Sequence, residues 1–346
     1  MAHKIALLGF GTVGQGLLEI IRDKEDRLRK NLGFDAKIVA ICDLMKGSLY
    51  HPEGLDLNQV FQIFQETGSL ESYPEKPGLV KGWDSFQTIR GSNADTIVEV
   101  TFTDVKTGQP AIQHVKTAFQ AGKNVVMSNK GPVALAYEEL SRLASENKVK
   151  WRFEGTVMSG TPALGMPPVC LAGNEIREVR GILNGTTNYI LCKMEEGMSY
   201  QEALKEAQAK GYAEADPTSD VEGYDARYKA AILANVVMNA PLKVEQVKRQ
   251  GITRLTHEDI KKAKSEGKRW KLIAKVKKEG DRVMASVGPE AVPLSDPLAN
   301  ISGATNAITY DCDLAGPITL VGAGAGRTET GYSILIDLIN IYRGQI

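Results

Sequence analysis

Residues 5–16 read Ile5-Ala6-Leu7-Leu8-Gly9-Phe10-Gly11-Thr12-Val13-Gly14-Gln15-Gly16. An apolar run passes straight into a GxGxxG turn, and Leu17, Leu18, Ile20 and Ile21 then recur at helical spacing. The pattern is that of a strand, a tight turn and a helix, the arrangement that binds a dinucleotide. Gly9 permits the turn, Gly11 lets the backbone approach a pyrophosphate, and Gly14 lets helix and strand pack closely. Phe10, Thr12 and Val13 complete the loop, and the first helical N–H groups point at the phosphates. A GxGxxG alone is weak evidence; the strand before it and the helix after it supply the context the motif needs.

Strands and amphipathic helices keep alternating over the first third of the chain. Strands are predicted at Lys4–Leu8, Ala36–Cys42, Thr96–Val100 and Asn124–Met127, and helices at Val13–Lys30, Pro110–Ala121 and Val133–Asn147. Residues 44–80 are rich in Gly, Pro and Ser around one predicted helix, Leu57–Gln65. The alternation predicts an α/β fold with a doubly wound parallel sheet, the Rossmann arrangement. Ligands on such a sheet lie beyond the carboxyl ends of its strands. Gly9–Gly14, Asp43, Thr101–Thr103 and Ser128–Lys130 therefore fall along one edge, where a single extended cofactor would touch all four.

From Trp151 the character changes. Strands are predicted at Ile176–Leu183 and near 270–276, 282–288 and 305–311. Helices are predicted at Tyr189–Met194, Tyr200–Gln208 with Gly211 as a stop, and Asp225–Met238. The reading is a dinucleotide-binding domain over 1–150, completed by 318–346, and an α+β substrate domain with a mixed sheet over 151–317. Gly322–Gly326 reads as a second glycine turn before an apolar helix; no phosphate-binding lysine follows, so it is not a P-loop.

The 346 residues include 42 basic and 42 acidic ones, so no global field favours nucleic acid or an anionic membrane. No apolar run approaches the roughly 18–20 residues that span a bilayer. The N-terminus leads directly into a strand, which predicts no signal peptide and a cytoplasmic protein. Cys42, Cys170, Cys192 and Cys312 are scattered, without a CxxC or clustered histidines, which argues against a disulfide framework or a zinc site. The basic stretch Lys261–Lys278 reads as a solvated helix end followed by a strand.

Two places carry chemistry. Asp225 and Lys229 lie four apart, hence on one helical face, and an apolar run follows them. A surface ion pair is the plain reading. The apolar continuation and the acidic loop before it (Glu214, Asp216, Asp220, Glu222) favour a buried site suited to an ammonium-bearing substrate. Lys130 follows a strand at the cofactor edge, where partial desolvation equips a lysine to exchange the proton of an alcohol. His3, His51, His114 and His257 are expected away from these segments, which disfavours a histidine-based dehydrogenase.

These segments match a family. The chain resembles homoserine dehydrogenases in GFGTVGQG (9–16), VEVTFTDVKTGQPA (98–111), SNKGP (128–132), EGTVMSGTP (154–162), GILNGTTNYIL (181–191), GYAEADPTSDVEGYDARYKAAILA (211–234) and GAGAGRTETGYSILIDL (322–338). The resemblance implies a short form, without an aspartokinase or a C-terminal regulatory module. It implies NAD(P)-dependent interconversion of L-aspartate 4-semialdehyde and L-homoserine, on the branch to threonine and methionine, by a homodimer whose substrate domain dimerises. The alternative is a related dehydrogenase acting on another small amino or hydroxy acid; a non-catalytic NAD(H) sensor is a third reading.

By motif position, Lys229 resembles the proton donor and Asp225 its neighbour. Glu214 resembles the carboxylate that grips the substrate amine, Gly185, Thr186, Tyr212 and Asp220 the pocket wall, and Lys130 the lysine near the reacting centre and the nicotinamide. Gly211 and Gly326 match backbone positions against the cofactor. Glu154, Val157, Ser159 and Thr161 match a loop that binds a monovalent cation such as sodium, mainly through backbone oxygens. That loop usually reads like GGGIP, whereas this chain has Met158-Ser159-Gly160-Thr161-Pro162. Asp43 ends the second strand, 29 residues beyond Gly14. A carboxylate there accepts from a ribose 2′-OH and repels a 2′-phosphate, which favours NAD over NADP, although Lys46 is within reach of a phosphate.

Overall fold

The computed structural model describes residues 2–280 and 282–344. It divides into two compact units, Met1–Thr156 with Gly326–Ile346, and Val157–Ala325. Residues 1, 345 and 346, at the ends of the expected first domain, lie outside the described residues.

The first unit alternates β1 (His3–Leu8), α1 (Thr12–Leu32), β2 (Ala36–Asp43), β3 (Gly47–Tyr50), α2 (Leu57–Thr67), β4 (Val80–Lys81), α3 (Ser85–Gly91), β5 (Thr96–Glu99), α4 (Ala111–Gln120), β6 (Asn124–Met127), α5 (Lys130–Glu146) and β7 (Trp151–Arg152). Its seven strands are ordered β4-β3-β2-β1-β5-β6-β7. Neighbours from β2 to β7 are parallel, as the alternation predicts. β3 and β4 extend the sheet as antiparallel edge strands, where the Gly- and Pro-rich composition predicts loop. They are too short to show a period. The register aligns the strand ends: Leu8 of β1 lies beside Cys42 of β2 and Glu99 of β5, and Glu99 beside Met127 of β6. The segments that follow therefore leave the sheet side by side.

The second unit comprises α6 (Met166–Cys170), β8 (Ile176–Ile182), α7 (Gly185–Glu195), α8 (Tyr200–Ala209), α9 (Thr218–Val221), α10 (Tyr224–Val236), β9 (Lys248–Arg249), α11 (His257–Ser265), β10 (Lys268–Glu279), β11 (Arg282–Pro293), β12 (Thr305–Cys312) and β13 (Gly316–Ala323). Its six-stranded sheet runs β13-β12-β8-β10-β11-β9 and is antiparallel except between β9 and β11. α7, α10 and α11 pack on it. The basic stretch is indeed a helix end and a strand, but Lys271 in β10 is buried, its ammonium donating to Asn188 Oδ1 at 3.0 Å and to the Ile301 carbonyl.

Two boundaries differ from the reading of the sequence, for residues 151–156 stay with the first unit, where Trp151–Arg152 form β7. Residues 318–323 belong to β13, with Val321 opposite Ala307 of β12, and the return to the first unit begins at Gly326. α12 (Arg327–Tyr342) then packs on α1. Contact is close enough that a Cβ on Gly331 would meet the Gly16 backbone at 2.7 Å, and Arg327 grips Glu19 through two hydrogen bonds of 2.9 and 2.6 Å. Leu17, Leu18, Ile21, Ile334, Leu335 and Leu338 bury together there. Among the described residues no helix is long and apolar enough to cross a membrane.

Candidate active site

In the first unit the glycine loop is shaped by steric demand. Gly9 has φ 96°, and a Cβ there would lie 2.6 Å from the Val100 carbonyl oxygen. A Cβ on Gly14 would collide with the Gly9 carbonyl, whereas Gly11, the N-cap of α1, has nothing within 4 Å of its open side. No side chain caps α1. A bare helix N-terminus beside an open glycine is what a pyrophosphate requires. Phe10 contributes only backbone to the loop; its ring is buried against Phe61 and Phe64. Thr12 is exposed and Val13 half-buried.

Asp43 locks this loop. Its Oδ2 accepts from Phe10 N–H at 2.7 Å, and its Oδ1 from the N–H groups of Met45 and Lys46 at 3.0 and 3.1 Å. Lys46 Nζ donates to the Phe10 carbonyl at 2.7 Å and lies 3.8 Å from Asp43. The carboxylate thus holds three main-chain donors, and Lys46 is turned onto the loop.

Thr101, Thr103 and Lys130 gather at the neighbouring strand ends. Lys130 is the first residue of α5, and Gly131 behind it lets the Thr103 segment approach: a Cβ on Gly131 would meet both Gly108 Cα and Thr103 Cγ2 at 2.9 Å. Thr103 Oγ1 is buried without a hydrogen-bond partner among the described residues. An orphaned hydroxyl, an uncapped helix and a cradle that a Cβ would fill fit a nicotinamide dinucleotide laid along this edge. Gly326, at φ 143°, precedes α12 in the same unit.

One expectation fails here. His114 is close to the cofactor edge: it is buried in α4, with Nδ1 3.4 Å from Glu99 Oε2 and Nε2 2.8 Å from Ser85 Oγ. Glu99 is fully buried at the end of β5 and bonds Thr101 and Asn129, so it belongs to the site although the motifs do not flag it. A lone carboxylate closing the apolar run Ile97-Val98 was the available signal.

In the second unit the polar groups converge on the first turns of α7 and α10. Lys229 is buried, and its Nζ donates to the Leu183 carbonyl at 2.6 Å and to Asp225 Oδ2 at 2.7 Å. The i,i+4 spacing therefore makes the pair, in a buried setting. Asn184 caps α7 by accepting from Thr187 N–H, and its Nδ2 bridges Asp220 Oδ1 at 2.7 Å and Asp225 Oδ2 at 3.1 Å. Burial, and then the Asp225 charge, raise the Asp220 pKa above its usual value, against the lowering effect of Asn184, Lys229 and Thr186. Thr186 Oγ1 donates to the Tyr212 carbonyl at 2.5 Å, and Gly185 has no room for a Cβ against Ala304. Glu214 stands on the exposed loop after α8, beyond Gly211, which terminates that helix at φ 75°. Lys229, Asp225, Asp220, Thr186 and Tyr212 are thus brought together, while Glu214 has its carboxylate in solvent.

For the cation, Glu154 is buried in the first unit, its N–H donating to Asp337 Oδ2 at 2.8 Å. In the second unit Val157 and Ser159 are buried, Met158 and Ser159 have φ of 60° and 52°, and Thr161 N–H and Ala163 N–H close the loop onto the Met158 and Thr161 carbonyls. Two side-chain-bearing residues thus occupy left-handed positions for which glycine is suited. Among the described residues no cluster of three or more His, Cys, Asp or Glu side chains could hold a metal ion.

Known proteins of one family match nearly the whole chain. Residues 162–339 match the homoserine dehydrogenase family model, and residues 9–154 match that of the homoserine dehydrogenase NAD-binding domain. The chain is 43% identical to an NAD(+)-dependent homoserine dehydrogenase of Pseudomonas canavaninivorans, over 99% of this chain and 96% of that protein. It is 42% identical to a homoserine dehydrogenase of Methanocaldococcus jannaschii, over 98% of each. A hyperthermophilic archaeal homoserine dehydrogenase solved in complex with NADPH superposes with a TM-score of 0.84, at 30% identity, over 100% of this chain and 99% of that one.

Proposed function

The chain belongs to the homoserine dehydrogenase family, and from that premise we propose how its own residues carry out the NAD(P)-dependent oxidation and reduction of the CH–OH group. Gly9–Gly14, Asp43, Thr101, Thr103 and Lys130 hold the coenzyme, with Gly211 and Gly326 as further backbone contacts. When bound, the coenzyme supplies the hydride for L-aspartate 4-semialdehyde or accepts it from L-homoserine. Lys229 gives its proton to the aldehyde oxygen during reduction and recovers it during oxidation. Asp225 and the Leu183 carbonyl orient that ammonium, and Asn184 keeps Asp225 and Asp220 in place. Glu214 pairs with the substrate ammonium, Thr186 and Tyr212 wall its carboxylate end, and Lys130 stands by the nicotinamide.

The observation that carries this reading is the buried Lys229, with its ammonium on two acceptors amid two carboxylates. Those two acceptors fix the ammonium in place, and an ammonium has three N–H donors, so one remains to be offered to a substrate oxygen. The same proposal makes residues 1–156 with 326–346 the coenzyme domain, and the second unit the substrate and dimerisation domain of a cytoplasmic homodimer. It takes Glu154, Val157, Ser159 and Thr161 as ligands of a monovalent cation, and NAD as the preferred coenzyme. Homoserine oxidation followed by nicotinamide absorbance with each coenzyme, in sodium and in a sodium-free buffer, tests it. A higher kcat/KM with NAD and stimulation by sodium are expected. Preference for NADP would remove the role given to Asp43, and sodium independence that given to the cation loop.

A further inference from the structure

Glu99 has no place in the roles above, yet it is the most enclosed carboxylate at the coenzyme edge, with no exposed surface. Its Oε1 accepts from Thr101 N–H at 2.8 Å, Thr101 Oγ1 at 2.5 Å and Asn129 Nδ2 at 3.0 Å, and its Oε2 faces His114 Nδ1 at 3.4 Å. Three donors thus converge on one oxygen of this carboxyl group, and the His114 ring stands at the other. Asn129 is the second half of the argument. It is the N-cap of α5, a position where asparagine ordinarily accepts from the helix's own N–H groups, but here it makes no such bond. Its amide is turned to Glu99 instead. One buried group thereby ties together Thr101 after β5 and Asn129 after β6, and Lys130 is the next residue.

We propose that Glu99 is a positioning residue for the nicotinamide end of the coenzyme: through Asn129 and Thr101 it fixes the backbone that carries Lys130 and the Thr101–Thr103 segment. This rests on reading those segments as the nicotinamide site. His114 completes the device, for its ring can present a donor or an acceptor to Glu99 while the other nitrogen bonds Ser85 Oγ.

That adaptability sets the test. In Glu99→Gln the amide oxygen keeps Thr101 and Asn129 while its NH₂ donates to His114 in the other tautomer. Turnover therefore stays within about threefold of wild type. Glu99→Met fills the same volume without an acceptor, releases both segments, and lowers kcat on the order of tenfold to a hundredfold, the scale of a misplaced reacting group. KM for homoserine changes little in both, since the groups proposed to bind it lie in the second unit. Asn129→Ala, on a half-buried residue, repeats the loss by cutting only the Glu99 link, and the double variant is no worse than Glu99→Met alone. A structural role alone would lower Tm and leave kcat of the folded protein intact, whereas independent roles for Glu99 and Asn129 would make their kcat losses multiply. Either result overturns the proposal, and Asn129→Ala decides it if Glu99→Met does not fold. NADH dissociation constants, measured without homoserine, separate the two levels. A wild type that binds neither NADH nor NADPH defeats the coenzyme-site reading. A wild type that binds and turns over, with Asn129→Ala and Glu99→Met undiminished, defeats the role of Glu99 alone.

Discussion

Lys229→Met isolates the ammonium, because methionine preserves most of the aliphatic stem. The Lys229 and Asp225 side chains are 8% and 16% exposed, so the pair is largely dry. Removing Nζ deletes the 2.6 Å bond to the Leu183 carbonyl and the 2.7 Å bond to Asp225, and withdraws a positive charge from Asp220 and Asp225. Breaking a buried pair costs about 3–5 kcal/mol, and the residual exposure of Asp225 places this case near ~3 kcal/mol. For a unit of this size that lowers Tm by roughly 6–12 °C.

The sign of the pH dependence distinguishes this from a packing defect. The Asp220 pKa is already raised, and loss of the lowering contribution of Lys229 raises it further. A carboxyl group with a raised folded pKa contributes stability below its unfolded pKa and loses it as pH rises through the folded pKa. The Tm deficit of Lys229→Met therefore narrows as pH falls towards the ordinary Asp value. On activity, loss of the proton donor removes about 10²–10⁴ in kcat, while the dissociation constant for NADH stays within about twofold. Stopped-time assays of NADH formation, NADH titration and thermal melts across pH read all three. Turnover within tenfold of wild type refutes the assignment of the proton, and a Tm deficit that is constant with pH refutes the electrostatic account.

Three further outcomes follow from the geometry. Glu214→Gln raises KM for homoserine by about tenfold with little change in kcat, because a charge pair present in ground and transition states alike is lost; a fall in kcat at constant KM would contradict it. Asp337→Asn stabilises the protein above the raised Asp337 pKa, which burial and then the Glu154 charge push well above 3.8, and has no effect below about pH 3.8; melts at acidic and alkaline pH showing equal shifts would count against it. Gly14→Ala, whose Cβ meets the Gly9 carbonyl, lowers stability by ~1–3 kcal/mol and weakens NADH binding; unchanged NADH affinity would show the loop is not held by that contact.

Much of this was legible because periodic segments report their environment. Ile5–Leu8, Ile97–Val98 and Val125–Met127 are apolar runs with glycine or helix signals behind them, and their aligned ends follow from parallel packing alone. Asp225 and Lys229 were readable from spacing, since an apolar run after a charged pair marks a buried helix. β3, β4 and β9 were not, being only two to four residues long. Gly322–Gly326 reads as a turn by its glycines and 318–346 as the return to the first domain, whereas the edge position of β13 beside β12 lets Gly322 sit in a strand. Glu99 and His114 escaped because their partnership joins positions 15 apart on different elements, which only packing brings within 3.4 Å. The end of the second strand marks Asp43 as a candidate ribose ligand; its bonds to Phe10, Met45 and Lys46 depend on turn conformations that composition does not encode.

The most direct test of the central claim is a comparison of kcat/KM for homoserine, threonine, 3-hydroxyaspartate and malate, each with NAD and with NADP, in wild type and in Lys229→Met. Homoserine is predicted to give the highest value with either coenzyme, and the Lys229 variant to lose it while still binding NADH. A higher value for malate or threonine, or homoserine oxidation that persists without the Lys229 ammonium, would contradict the account.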